Sequence, residues 1–337
     1  MDTNQFGIIG NGSWATALSK MLTDNGEKIN WWMRSESAVR HLLTRHHNLV
    51  YLPSVRFLPD VIRPTHHLQE VIAHSSDILI AVPSAYIVAL LESLPRDAFK
   101  GKRVISAVKG ILPEQHLLLN DYLQEQFSFP LEDYIAISGP CHAEEVAEER
   151  LSYLTFSGLD TVKTSRAAKA FTNDYIRTTV THDLWGAQYA AVLKNIYAIG
   201  AGMAHGLGYG DNFLSVYITN CYREMFRFLE MQFEKIHPSN ELPDFHTSAY
   251  LGDLLVTCYS PHSRNRTFGA LLGKGYSVKA ATAEMNMVAE GYFAAQGMIR
   301  ISRKIDLDMP VMQTVYEMLW KEKSIISGLE AIEKLLS

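Results

Sequence analysis

Apolar and polar positions fall into two regimes along the chain. Through Thr181, short apolar runs of strand length alternate with segments of helical period. The runs are Phe6–Ile9, Ile29–Met33, Asp77–Val82, Arg103–Ala107 and Tyr134–Ser138, and Ser152–Ser157 and Ile176–Thr181 extend the series. A helix is expected over Trp14–Asn25, with Ala17, Leu18, Met21 and Leu22 on its buried side and Gly26 as its stop, and another over Thr161–Asn173. Beyond Thr181 no convincing strand pattern returns. Helical patterns cover Asn212–Phe233, His246–Tyr259, Arg264–Leu272, Val278–Met285, Glu290–Ile305 and Val311–Leu319. Strands alternating with helices, then helices alone, predict an α/β Rossmann-type N-terminal domain over residues 1–182 and an all-α C-terminal domain over residues 183–337.

One helical stretch is apolar on every side. From Trp185 onward, Trp185, Tyr189, Val192, Ile196, Ile199 and Met203 form a bulky face, and Ala187, Ala190, Ala191, Ala198 and Ala201 a small one. A helix of this kind is buried. Its one charge, Lys194, either snorkels to the surface or sits desolvated beside small neighbours that let something approach. Desolvation lowers a lysine pKa toward values useful for proton transfer.

The start of the chain carries a second signal. The run Phe6–Ile9 breaks at Gly10-Asn11-Gly12-Ser13-Trp14-Ala15, and a helix and a second strand follow. Strand, glycine turn, helix and strand within about 30 residues make a dinucleotide-binding βαβ unit. Gly10 permits the tight turn, Gly12 lets a pyrophosphate approach the backbone, and the helix start offers amides and a positive dipole end. At the end of the second strand Arg34 stands where an acid would hold a ribose 2′-hydroxyl, so a 2′-phosphate is accommodated. The alternative is a solvated Arg34, with Glu36 on the ribose.

Three further groups merit attention. Lys109 follows the Arg103–Ala107 strand, at the carboxyl end where ligand crevices form. Asp253 lies in the apolar setting Leu251-Gly252-Asp253-Leu254 and needs a partner, which Lys194 would supply. Ser263-Arg264-Asn265 opens a helix after Pro261, where a cap, a guanidinium fork and an amide assemble a phosphate site. Residues 40–67 are polar and Pro-punctuated and read as a solvated segment. Their histidines (His41, His46, His47, His66, His67) lack metal-ligand spacing, and no metal is expected.

Bulk properties narrow the classes. The 337 residues are 47% hydrophobic with a formal charge of −5, enough for two cores and without the basic excess of a nucleic-acid binder. The three cysteines, Cys141, Cys221 and Cys258, are odd in number and far apart, which fits a reducing cytoplasm. No signal peptide or membrane-spanning run is read.

Taken in order, these residues resemble NAD(P)-dependent glycerol-3-phosphate dehydrogenase of the bacterial type, along essentially the whole chain. The matching stretches are Gly10 to Leu18, Val82-Pro83-Ser84, Lys109-Gly110, Ser138-Gly139-Pro140, Val192 to Ile196, Ala198 to Gly202, Gly208 to Asn212, Leu251 to Leu254, Ser263 to Arg266, and Glu290-Gly291. The resemblance implies a C-terminal half like that of 6-phosphogluconate dehydrogenase. It implies NAD(P)H as cofactor and interconversion of dihydroxyacetone phosphate and sn-glycerol 3-phosphate for phospholipid synthesis, by a cytoplasmic homodimer. By match, Lys194 is the general acid/base and Asp253 its supporting carboxylate. Lys109, Gly139, Cys141, Ser263, Arg264 and Asn265 join them around the substrate. Ser13, Trp14, Arg34, Lys109, Ala143, Arg264, Val288 and Glu290 line the dinucleotide. Two positions depart from the pattern: Cys141 replaces a hydroxyl residue after Gly-Pro, and Tyr250 replaces a small one. The rival readings are a dehydrogenase of another phosphorylated hydroxy or keto substrate, and a non-catalytic dinucleotide sensor.

Overall fold

The computed structural model describes residues 4–236, 241–285 and 289–337. The chain forms two compact units, Met1–Val108 with Leu119–Leu184, and Lys109–Leu118 with Trp185–Ser337.

The first unit is built on one eight-stranded sheet. Its strands are β1 (Asn4–Ile9), β2 (Ile29–Trp32), β3 (Ile62–Thr65), β4 (Ser75–Ile80), β5 (Arg103–Ser106), β6 (Tyr134–Ser138), β7 (Ser152–Ser157) and β8 (Ile176–Thr181). They lie in the order β3-β2-β1-β4-β5-β6-β7-β8. Every neighbouring pair is parallel except β6 and β7, which run antiparallel. The helices between them are α1 (Ser13–Asp24), α2 (Glu36–Arg45), α3 (Leu68–Ala73), α4 (Ser84–Leu91), α5 (Leu119–Phe127), α6 (Ala143–Ala147) and α7 (Thr161–Phe171). Central strands are apolar because both of their faces are covered; Phe6, Ile8 and Ile9 of β1 have no exposure at all. The strand order reverses at β1, between β2 and β4. That switch point, at the carboxyl ends of β1 and β4, is where this architecture opens a ligand crevice.

The fold is the Rossmann type expected, with one correction. Residues 40–67 are not a solvated segment throughout: they contain most of α2 and all of β3. Of the ten residues of α2 only Ala38 and Leu42 are buried, too few to make a visible period. In β3 only Ile62 is buried, and Pro64 is tolerated because the strand lies at the sheet edge.

The second unit is helical: α8 (Leu184–Gly206), α9 (Asp211–Ile236), α10 (Asp253–Tyr259), α11 (Arg264–Gly273), α12 (Val278–Met285), α13 (Glu290–Lys304), α14 (Pro310–Trp320) and α15 (Ile325–Glu333). The helix expected from His246 begins later. One wide turn over Ser248–Gly252 precedes α10, so Asp253 opens a regular helix rather than lying inside one. Helix α8 runs through the core, and its residues from Ala187 to Ala204 are buried almost without break. Its small face is filled by another backbone. A Cβ at Gly202 would land on the Arg266 carbonyl, and one at Gly269 on the Ile199 carbonyl, so α8 and α11 touch main chain to main chain.

Glu224 of α9 shows how this core handles an interior charge. It is 5% exposed and accepts from Val311 N, Met312 N and Tyr197 Oη, each at 2.9 Å. A carboxylate at a helix start satisfies amides that have no intrahelical acceptor, here at the N-terminus of α14. Glu224→Ala strands three donors and is expected to cost about 2–4 kcal/mol. Urea denaturation followed by circular dichroism measures it.

Candidate active site

The helical unit gathers three charged groups around one buried point. Lys194 projects from the middle of α8 and is 4% exposed, which excludes a snorkelling side chain. Asp253, at the start of α10, is 1% exposed and forms an ion pair and hydrogen bond with the Lys194 ammonium through Oδ1. Lys109 approaches the other oxygen, with Nζ 3.7 Å from Oδ2. Burial is the largest influence on Lys194. The field of Lys109 adds to it and that of Asp253 opposes it, and the pKa is lowered to about 8. An ammonium with that pKa gives up and regains a proton near neutrality.

The surrounding main chain is held by side chains whose roles the sequence did not reveal. Asn195, next to Lys194, donates through Nδ2 to the Lys109 carbonyl at 2.9 Å. The segment Lys109–Leu118 belongs to the helical unit although it is read in sequence as a sheet loop. Thr257, one turn after Asp253, donates to the Asp253 carbonyl at 2.5 Å. The only advance signal for either residue is a polar side chain one position or one turn from a buried charge.

The helix start expected at Ser263-Arg264-Asn265 is also formed. Ser263 caps α11 by accepting from Arg266 N at 3.3 Å, and Arg264 is the first residue of the helix. Asn265 is buried, and its Oδ1 accepts from Gly291 N at 3.0 Å, beside Glu290 at the start of α13. That bond fixes the amide plane. Val288 lies outside the described residues.

The first unit holds the remaining candidates. Gly10 has a φ of +131°, and a Cβ there would stand 2.5 Å from the Ala81 carbonyl oxygen. At Gly12 an added Cβ would meet nothing within 4 Å, so open space lies against that Cα. No side chain caps α1, and no acidic residue lies in its first turn. Such a helix start suits a pyrophosphate. Ser13 and Trp14 open the helix, and Ala143 opens α6. Gly139 has a φ of +112°, and its Cα packs on the Tyr153 carbonyl. Cys141 is buried and is not in a disulfide. Arg34 is exposed beyond β2, and among the described residues it has no hydrogen bond or ion pair. Glu36 is engaged by Arg40 at 3.1 Å. Among the described residues no cluster of metal-ligating side chains occurs and no helix is long and apolar enough to cross a membrane.

Comparison with known proteins fits both halves of this arrangement. Residues 5–162 match the NAD-dependent glycerol-3-phosphate dehydrogenase N-terminus, and residues 183–330 match the C-terminus of the same family. The chain belongs to the NAD-dependent glycerol-3-phosphate dehydrogenase family. Among family members, glycerol-3-phosphate dehydrogenase [NAD(P)+] of Agathobacter rectalis is 33% identical over 334 residues, covering 99% of this chain and 96% of that protein. The protein of the same name from Halalkalibacterium halodurans is 34% identical over 318 residues, covering 94% and 90%. The crystal structure of glycerol-3-phosphate dehydrogenase from Coxiella burnetii superposes with a TM-score of 0.89 at 25% identity, covering 98% of this chain and 99% of that one. More distantly, 2-dehydropantoate 2-reductase of Geobacter metallireducens shares the fold, with a TM-score of 0.62 at 14% identity and coverage of 95% and 100%. The unusual Tyr250 is accommodated in the core, 2% exposed, with its ring edge-on to Phe245 at 5.2 Å.

Gly291 is where α13 meets α8. A Cβ there would overlap the Asn195 carbonyl and crowd the Ile199 side chain. Gly291→Ala is therefore expected to destabilise the chain by about 1–3 kcal/mol. A thermal melt monitored by tryptophan fluorescence reads that loss.

Proposed function

We propose that this chain catalyses the reversible reduction of dihydroxyacetone phosphate to sn-glycerol 3-phosphate with NAD(P)H, supplying glycerol 3-phosphate for phospholipid synthesis. The observation that carries the reading is the buried Lys194 with its lowered pKa, paired with Asp253 and flanked by Lys109. A purely ligand-sensing protein has no use for a desolvated proton donor, so catalysis is the better account.

On this reading residues 1–182 bind the dinucleotide and residues 183–337 bind substrate and supply the proton. Gly10, Gly12, Ser13 and Trp14 cradle the pyrophosphate, Arg34 meets a 2′-phosphate, and Ala143, Val288 and Glu290 complete the lining. The free Arg34 and the engaged Glu36 favour acceptance of NADPH as well as NADH. Arg264 and Asn265 hold chiefly the substrate phosphate, and Ser263, Gly139 and Cys141 belong to the same substrate set. Lys109 and Arg264 are placed in both sets. The assembly is a homodimer working in the cytoplasm.

When bound, the nicotinamide supplies the hydride to the substrate's C2 carbonyl carbon. Negative charge then grows on the carbonyl oxygen. Protonated Lys194 stabilises that charge and donates its proton to it, a contribution of roughly 10²–10⁴-fold. Asp253 keeps the ammonium oriented and partly offsets the cost of burying it. The phosphate, gripped away from the reacting carbon, supplies binding energy that holds the carbonyl in place.

The first test is loss of near-ultraviolet nicotinamide absorbance on mixing the protein with dihydroxyacetone phosphate and either NADH or NADPH. No loss with either cofactor, despite cofactor binding, rejects the proposal. Lys194→Ala should abolish turnover while cofactor binding persists, and near-normal activity in that variant contradicts its role. Because reduction consumes the Lys194 proton, kcat/KM for reduction should fall as pH rises through about 8, whereas oxidation, which needs the neutral amine, should rise over the same interval. Asp253→Asn removes the charge that raises this pKa, so the reduction limb should move to lower pH. Arg264→Ala should raise KM for the phosphorylated substrate about ten- to a hundredfold, the value of a lost charge-assisted hydrogen bond.

A further inference from the structure

We propose that Asn48 is a positioning residue for the dinucleotide: it sets the peptide orientation of the pyrophosphate loop from a segment outside the βαβ unit. The inference rests on the dinucleotide reading given above.

Three successive carbonyls of the loop are tied down by side chains. The Gly10 carbonyl accepts from Trp31 Nε1 at 2.7 Å. The Asn11 carbonyl accepts from Asn48 Nδ2 at 2.9 Å. The Gly12 carbonyl accepts from Thr16 Oγ1 at 2.9 Å and from Thr16 N at 3.0 Å. No peptide bond among the described residues is cis. In a planar trans peptide the C=O of one residue and the N–H of the next point in opposite directions. Anchoring the carbonyls of residues 10, 11 and 12 therefore aims the amides of Asn11, Gly12 and Ser13 away from the anchors. Amides aligned in this way form an anion-binding concavity.

Trp31 and Thr16 come from β2 and α1, within the βαβ unit itself. Asn48 does not. It follows α2, whose end at His46 turns through the left-handed region at φ 60°. It is 2% exposed, and both ends of its amide are used. Nδ2 donates to the Asn11 carbonyl and, at 2.8 Å, to Thr16 Oγ1, so it supports two of the three anchors. Oδ1 accepts from Val50 N at 3.0 Å and Tyr51 N at 3.2 Å, which builds the turn that carries the residue. One half of the side chain makes its own turn and the other half holds the loop. A free asparagine amide has two donor hydrogens and two acceptor lone pairs, so this one has none to spare. Among the described residues no other hydrogen bond reaches the Asn11 carbonyl, so without the donor half the Asn11–Gly12 peptide is freer to turn its amide out of the concavity.

The experiment uses the full chain, wild type and the variants Asn48→Ala, Thr16→Val and the double variant. Calorimetric titration gives Kd for NADH and for ADP-ribose, which keeps the pyrophosphate and lacks the nicotinamide. Thermal melts and kcat at saturating substrates accompany it. Asn48→Ala should raise both Kd values about tenfold or more, the equivalent of one lost hydrogen bond and a misaligned peptide. Thr16→Val should raise them less, and the double variant should fall short of the product of the two, because both act through one network. The kcat at saturation should stay within about twofold, since the proton donor is untouched. A purely structural asparagine would lower the melting temperature and leave both Kd values unchanged, and that outcome overturns the proposal. If Asn48→Ala does not fold, Thr16→Val decides, with an unchanged Kd for ADP-ribose counting against the loop network. Failure of the wild type to bind either probe would instead reject the dinucleotide reading on which the inference rests.

Discussion

Desolvation of one ammonium group is the constraint from which the helical unit takes its character. Moving a charge of this kind out of water costs several kcal/mol even after relaxation, and a buried partner roughly cancels that cost without adding much stability. The Lys194–Asp253 pair is therefore poorly explained as a device for holding the fold together. Hydrophobic residues of similar volume would serve α8 as well or better. The pair makes sense as a group kept close to the balance point between its two protonation states. Lys109 sharpens this: with two cations against one carboxylate, these three groups carry one positive charge in excess, an environment suited to an anionic substrate.

Backbone proximity is what holds such a group still. Helices α8 and α11 meet at Gly202 and Gly269 with main chain against main chain, and α13 meets α8 at Gly291. Contacts of this kind tolerate no added carbon, so the distances between the helices carrying Lys194, Arg264 and Glu290 are set by atoms that have no rotamers. Side chains then refine the result: Asn195 fixes the Lys109 carbonyl, and Asn265 ties the start of α13 to α11. A side chain placed by packing rather than by a flexible loop keeps its orientation.

How much of this was readable in the sequence depends on whether the signal is local. Buried strands such as β4 and β6 announce themselves because both faces are covered. The glycine turn after β1 is readable because its chemistry lies in consecutive residues, and Lys194 because a charge in an all-apolar helix stands out, although its sequence alone does not separate a snorkelling side chain from a desolvated one. Elements that touch the core through one or two residues are invisible to periodicity: α2 buries Ala38 and Leu42, and β3 buries Ile62. The positioning residues were hidden for a different reason. Asn48 and Asn195 act by side-chain bonds to main chain distant in sequence, and such bonds leave no spacing to detect; Asn265 is visible as a helix-start amide, but its bond to Gly291 is hidden in the same way. The wide turn at Ser248–Gly252 likewise leaves no mark in the apolar period, which runs on from His246 into α10.

The first unit repeats the logic of the second with different materials. Its candidate anion site has no buried charge; it works through the directions of peptide groups. Those directions come from a tryptophan, a threonine and an asparagine that spend their hydrogen bonds on carbonyls. Helix α2 runs between Arg34 and the residue that anchors this loop. Ser35 caps its start, beside Arg34, and Asn48 lies just past its end. Ten helical residues span about 15 Å, so on the proposed reading α2 is a strut of fixed length. One end carries the group that meets the ribose, and the other carries the group that orders the pyrophosphate loop. On that reading a segment whose composition suggests a solvated connection sets the spacing between two parts of a single ligand, and the buried, fully hydrogen-bonded asparagine within it has a use.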